Sequence, residues 1–500
     1  MKKSLIAAGV IVALGVVWTG GAWYTGKQLE THMTEMLAKA NAQIKRTSSA
    51  AGLELVHQNY QRGLFSSQLD LVIKPVDGAT QSWLKPGQTI VMKENIDHGP
   101  FPLAALKSFN LMPMMASVKT VLVNNAVTKP LFDLANGQSF VESDTRISYN
   151  GDTRSLISLK PLNREAGQEK LSLSGGEFTF DADREGNAFS LSGSVPSALI
   201  ETVNEHGMRV KLTLNNLTTE GASKRASFDE YVGNQKIALD KLAISMEGVD
   251  LGQLEGLTVE GRADLAADGK TVNSQIDYTL NSLKLKNQDM GSGKLTLKVG
   301  NIDGAIWHEF NQTYNAQAQK VLQEADLAND PEGYQQEAAE ALLSALPILL
   351  KAEPVITVAP LSWKNSKGEA TFNLSLFLKD PAKNTQPPQA LADQVDMFVK
   401  NLDTKLVIPM DMATEFMTQS ASLEGYKPED AAKLAQQQVK GLSAMGQMFH
   451  LTTEENNSIT SSLQYTAGQV TLNGKKMSLE EFVGMFGGVL NLQAPDAPEE

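Results

Sequence analysis

The sequence predicts an α+β protein, with an N-terminal transmembrane helix followed by large antiparallel β-meander sheets and interspersed helices. Three observations carry that expectation. No charged side chain lies from Ser4 to Gly26, and Leu5–Tyr24 is apolar apart from scattered glycines and Thr19. From about Leu53 to Val299 apolar residues return at every second position, the period of antiparallel strands with one apolar face. Nowhere do strand-like and helical runs alternate in the way a parallel βαβ core requires.

The N-terminal run has the dimensions of a bilayer. As a helix, Leu5–Tyr24 rises about 30 Å, the thickness of the hydrocarbon core. Lys2, Lys3 and the α-amine precede it, and Trp18, Trp23 and Tyr24 stand at its far end, where aromatic rings favour the headgroup region. These five residues define the expected membrane anchor. The competing reading is a signal peptide cleaved after Ala22, because Gly20-Gly21-Ala22 supplies the small residues a cleavage site needs. The length of the run, and its continuation through Trp23 and Tyr24, favour a retained anchor. The amine, Lys2 and Lys3 keep the N-terminus on the cytoplasmic side.

Composition narrows the function classes. The 500-residue chain contains no cysteine, which removes disulfides, thiolate metal sites and cysteine nucleophiles. A formal net charge of −13 argues against nucleic acid as a partner and against a broad face for anionic lipid. A hydrophobic content of 42% is that of a folded body.

The elements then follow in order. Lys27–Arg46 repeats apolar residues at three- and four-residue intervals (Leu29, Met33, Met36, Leu37, Ala40, Ile44) and reads as an amphipathic helix. It is either a stalk continuing the anchor or a helix packed on the first sheet. Strand alternation is clearest at Val210, Leu212 and Leu214, at Ile276, Tyr278 and Leu280, and at Leu295, Leu297 and Val299. Asp183–Asn187 and Asp268-Gly269 read as hairpin turns. Asp303 caps a helix, Pro331 opens a second, and Pro347 is expected to kink or end it. Val355–Leu361 and Ala370–Leu378 form a hairpin about Asn365–Gly368. Asp380–Pro388 is a loop, and Asp411–Ala421 and Pro428–Phe449 are helices. A last hairpin, Ile459–Tyr465 with Gln469–Asn473, leads to a helix whose start, Ser478-Leu479-Glu480-Glu481, is a capping box. The expected divisions are an anchor at 1–26, an amphipathic stalk helix at 27–52, a β-rich domain at 53–302, and a helical segment at 303–352. A second α+β module at 353–487 and a Pro/acidic tail at 488–500 complete the chain.

Three segments carry a resemblance. Together with the N-terminal run, Tyr60-Gln61-Arg62-Gly63-Leu64-Phe65-Ser66-Ser67, Asp97-His98-Gly99-Pro100-Phe101-Pro102 and Gly468-Gln469-Val470-Thr471-Leu472-Asn473-Gly474 resemble the YdgA/YihF family of bacterial envelope proteins, a domain of unknown function. The resemblance implies a single-pass protein of the bacterial inner membrane with the bulk of its chain in the periplasm. It supplies no catalytic residues.

No motif defines an active site. His98 beside Asp97 invites an acid–base or metal reading, but adjacent residues of an extended chain point to opposite faces. The expectation is a structural turn whose histidine bonds to backbone. The remaining histidines lack metal spacing, and Ser82-Trp83-Leu84-Lys85 lacks the companion motifs of a Ser/Lys hydrolase. No catalytic, cofactor or metal residue is assigned, no cofactor is expected, and the protein is not expected to be an enzyme. The leading expectation is an envelope scaffold or interaction protein; the alternative is a lipid or apolar-ligand carrier. Expected partners are the membrane, an envelope protein, a second copy of the chain and, in the carrier case, lipid. The candidate groove lining is Val210, Leu212, Leu214, Ile276, Tyr278, Leu280, Leu295, Leu297 and Val299. Ordinary alternating strands bury one face in protein, so a closed core is the expectation at these nine positions.

Overall fold

The computed structural model describes residues 52–77, 84–107, 109, 111–286, 288–324, 331–384 and 387–485, with helical residues 22, 24–27, 34, 35, 37–42 and 44. Lys2, Lys3, Trp18, Trp23 and the tail 488–500 lie outside them. Among the described residues no helix is long and apolar enough to cross a membrane. The chain divides into two units, 1–225 with 315–341 and 226–314 with 342–500.

The first unit is an antiparallel meander. Strands β1 (Leu53–Arg62), β2 (Ser66–Pro75), β3 (Ile90–His98), β4 (Ala116–Leu122), β5 (Val141–Ile147) and β6 (Thr153–Leu159) pair in sequence order. A hairpin of β7 (Leu162–Ala166) and β8 (Glu169–Leu173) then intervenes. Strand β9 (Gly176–Ala182) returns to β6, β10 (Ala188–Val203) pairs with β9, and β11 (Arg209–Arg225) pairs with β10. The far half of β10 takes up β8. The expected Asp183–Asn187 turn forms: Asn187 N donates to Asp183 Oδ1 at 2.7 Å. Phe180 lies opposite Leu191 and its ring stacks 6.1 Å from Phe189, whereas Phe178 lies opposite Gly193. A Cβ at Gly193 would collide with the Phe178 ring.

The core of this unit is Leu69, Ile96, Ala116, Val118 and Ile147, all buried. Each comes from one face of β2 to β5, the alternation seen in the sequence. Burying a leucine as fully as Leu69 contributes about 2 kcal/mol. Two short helices, α1 (Leu103–Lys107) and α2 (Lys129–Leu134), sit in the connections of this sheet. Strand β1 is at an edge, and the helical residue Asn41 meets its backbone there. The Asn41 amide donates to Leu55 O at 2.8 Å and accepts from Leu55 N at 2.7 Å. One side chain thus satisfies two groups of an edge that would otherwise be unpaired.

The second unit is a longer meander. Strands β12 (Tyr231–Met246), β13 (Val249–Leu265), β14 (Thr271–Leu285), β15 (Gln288–Asp303), β16 (Val355–Asn365), β17 (Gly368–Leu378) and β18 (Val399–Pro409) again pair in sequence order. Strand β18 pairs with β20 (Ser458–Thr466), which also takes up β19 (Thr453–Glu455) and β21 (Gln469–Leu472), and β21 pairs with β22 (Lys475–Ser478). At the Asp268-Gly269 turn, Asp268 accepts from Lys270 N and Thr271 N at 2.9 Å and from Thr271 Oγ1 at 2.6 Å. Those donors pull its carboxyl down to about 2.

Helices α3 (Gly304–Glu324), α4 (Pro331–Leu350), α5 (Leu391–Phe398), α6 (Met410–Leu423), α7 (Pro428–Met448) and α8 (Leu479–Gly484), with a 3-10 turn at Pro381–Lys383, complete the described elements. Asp303 accepts from Ala305 N and Ile306 N at the start of α3, as its position predicts. The α8 capping box also forms: Ser478 Oγ accepts from Glu481 N, and Ser478 N donates to the Glu481 carboxylate. Helix α4 runs through Pro347 to Leu350 rather than ending there. A second core joins Tyr465, Val470, Leu472, Met477 and Leu479. The Tyr465 hydroxyl donates to Asp396 of α5 at 2.7 Å and accepts from Gly468 N at 3.3 Å. That pairing holds the Gly468–Gly474 segment singled out in the sequence.

Candidate functional site

The largest candidate is a sheet face rather than a cleft. In the second unit, Ile276 lies opposite Leu297 and Tyr278 opposite Leu295, so the two strands align their apolar residues. Residues directly opposite share one face. Leu280 instead faces Gly293, and Val299 faces Ser274. The row extends into β16 and β17. Leu295, Leu297 and Val299 lie opposite Leu361, Val358 and Ile356 of β16, which lie opposite Phe372, Leu374 and Leu376 of β17. A bulge at 359–360 gives β16 one extra residue relative to both neighbours, and the bulge keeps Leu361 and Val358 on the same face. The alternation Phe372-Asn373-Leu374-Ser375-Leu376 was the available signal; the helices at 303–352 separate it in sequence from β15.

None of the nine candidate residues is buried. Eight keep intermediate exposure, and Tyr278 is 41% exposed, with Leu361 at 47% two strands away across Leu295. The closed core expected at these positions does not form. Val210, Leu212 and Leu214 belong to the first unit, opposite Thr202, Ile200 and Ala198 of β10. The opposite face of the second unit's sheet is polar and linked by hydrogen bonds. Arg262 donates to Gln275, Gln275 to Asp277 and Thr296 to Asp277, each at 2.6 Å. One face therefore satisfies its polar groups, and the other presents partly exposed apolar side chains.

The second candidate is His98, at the end of β3. Its Nε2 is 2.8 Å from Ser67 Oγ, and Ser67 Oγ is 3.4 Å from the Tyr60 hydroxyl. Both His98 and Ser67 are 1% exposed, so no substrate carbonyl can reach the hydroxyl. Asp97 turns away: its Oδ2 accepts from Ala104 N at 2.8 Å, in the first turn of α1. The alternation of an extended chain separates the two neighbours as anticipated. Helical residues close over the imidazole. A Cβ at Gly26 would lie 2.7 Å from His98 Cε1, and one at Gly99 would lie 2.7 Å from Ala22 Cβ. The arrangement is a buried clasp in which His98 Nε2 meets the Ser67 hydroxyl. Among the described residues no group of three or more His, Asp or Glu side chains is placed to hold a metal.

Burial pushes His98 below its ordinary value of 6.5 and the Arg62 charge adds to this, while the backbone of Ala22 and Leu64 and the Asp97 carboxylate oppose it. Glu94, on β3 opposite Leu69 and Thr120, is raised by burial and partly relieved by the Thr120 hydroxyl. The two act with opposite sign. For His98 the unfolded chain holds more protons below 6.5, so its contribution is complete above 6.5 and is lost as pH falls toward the lowered folded value. For Glu94 the contribution is complete below 4.5 and is lost as pH rises through the raised folded value. Melting temperatures of wild type and His98→Gln isolate the first effect. Wild type should lose more stability than the variant on going from about pH 7 to about pH 5; parallel losses would remove His98 from the account.

These features define an antiparallel β-sheet protein with helices and no recognisable catalytic constellation among its described residues. The chain belongs to the family described as a bacterial protein of unknown function (DUF945), whose model matches residues 1–480. It is 61% identical over 502 residues to Protein YdgA of Escherichia coli (strain K12), with 100% of each chain covered. It is 33% identical to the uncharacterized protein YihF of the same organism, over 97% of this chain and 99% of that one. An uncharacterized protein of Haemophilus influenzae is 24% identical over 62% of this chain and 85% of its own. The family resemblance seen in the sequence is therefore correct. No solved structure matches.

Proposed function

We propose that the protein is a membrane-tethered, non-enzymatic carrier that holds the acyl chain of a lipid on the apolar face of its antiparallel sheet. One observation carries this reading over a scaffold role: in the second unit Ile276, Tyr278, Leu280, Leu295, Leu297 and Val299 keep solvent access while the opposite face of the same strands satisfies its own polar groups. Apolar surface left in water is a standing cost that an acyl chain would remove. The tether is the uncharged run within Met1–Gly26, long enough for a bilayer, with the body on the periplasmic side.

Native mass spectrometry of the detergent-extracted full-length protein tests the reading. The expected result is a lipid-sized adduct on the intact chain. Recovery of the bare mass, or of protein partners without lipid, would return the scaffold reading to first place. The same sample bears on retention of the anchor. Ala22 is fully buried against Gly99, and Thr25 Oγ1 donates to its carbonyl at 3.1 Å. Cleavage after Ala22 would remove that packing, so the first residue expected in membrane-extracted protein precedes it; a chain beginning at Trp23 would contradict this.

A further inference from the structure

We infer that the loop following α1 dips into the interfacial layer of the lipid bilayer, as a second membrane contact beside the N-terminal run. Phe109 is 92% exposed, Leu111 69% and Met112 63%, three large apolar side chains within four positions. Phe109 has the highest exposure of any large apolar residue among those described. Scattered single exposures are ordinary, but three large exposed apolar side chains within four positions mark an interaction site.

The loop is built to present that tip. Its base is fixed: Pro102, Ala105 and Met114 are buried, Leu106 N donates to Pro102 O at 3.0 Å, and Met114 N donates to Pro100 O at 3.1 Å. Between these anchors Phe109 adopts φ +55°, a left-handed conformation that an aromatic residue rarely takes. A rare backbone conformation held by a rigid base is a feature found at functional sites. Lys107, exposed in the last turn of α1, places a cation just behind the apolar tip, at the level of lipid phosphates.

The choice of a bilayer as occupant comes from where the loop stands. Its base and the end of the N-terminal apolar run meet at one residue. Gly99 packs against Ala22, and Gly99 N donates to Met115 O at 3.2 Å. If the run spans a membrane, its exit point lies at the foot of this loop. The inference therefore rests on the tether of the proposed function, though not on the acyl-chain site.

The absence of cysteine allows single labels in the full-length protein. Val12→Cys, within the apolar run, and Leu111→Cys each receive an environment-sensitive fluorophore in phosphatidylethanolamine–phosphatidylglycerol vesicles carrying nitroxide lipids. The label at position 12 should be quenched by nitroxides deep in the acyl region. The label at position 111 should lose about half its emission to nitroxides near the headgroup and resist aqueous iodide. Quenching at position 12 with a position-111 label open to iodide would overturn the loop contact and leave the tether standing. A position-111 label shielded from both quenchers would assign the tip to a protein partner or second copy and equally overturn it. A position-111 label quenched by lipid, with the position-12 label unquenched, would keep the loop contact and discard the tether. Absence of lipid quenching at both positions would discard both.

Discussion

Replacing Gly99 by valine is expected to destabilise the first unit by about 3 kcal/mol or more. Two costs combine. Gly99 has φ +111°, which a β-branched residue adopts only under strain. Its Cβ would also sit 2.7 Å from Ala22 Cβ and 2.9 Å from Ala22 Cα, and backbone there cannot yield as a flexible side chain could. The clasp over His98 would open, and Thr25 and Ala22 would lose their burial. Urea denaturation followed by circular dichroism should show a clearly lower midpoint. A Gly99→Val protein with the wild-type midpoint would mean that the helical residues do not pack on this turn.

The second large effect compares two leucine-to-aspartate changes. Leu69 is 1% exposed in the core of the first unit. An unpaired carboxylate there costs several kcal/mol against a domain stability of about 5–15 kcal/mol, so Leu69→Asp should leave that unit unfolded or nearly so. Leu297 lies on the apolar face with intermediate exposure. A carboxylate there keeps contact with water, and Leu297→Asp should fold with a midpoint near that of wild type. If Leu297→Asp unfolds as completely as Leu69→Asp, the face is covered and the carrier reading fails.

Much of the fold was legible because its signals are local. The two-residue alternation of β11, β14 and β15 needs no partner to be recognised. Asp268-Gly269, Asp303 and the Ser478 box announce themselves through side chains that bond their own neighbouring backbone. Other elements were missed. Helix α5 follows Ala390, which has no side-chain oxygen to cap it; Asp393 Oδ2 reaches back to Gln389 N and Ala390 N at 3.0 Å, and Asp396 ties the helix to Tyr465, far away in sequence. Strand β8 returns to the far half of β10, a pairing no local pattern states. The apolar face was half legible. Alternation identified which residues share a face, but exposure depends on what packs across the sheet, and the two-residue period is the same for a covered face and an open one. The His98 clasp was seen as a rigid turn, while its partners Ser67 and Gly26 become neighbours only through folding.

The most direct test of the carrier reading uses that alternation. A photo-crosslinking amino acid placed at Leu297 lies on the apolar face, and one at the next residue, the exposed Lys298, lies on the polar face. Irradiation in intact cells followed by mass analysis should attach lipid at position 297 and none at position 298. Equal labelling at both positions, or protein adducts alone at 297, would contradict the account.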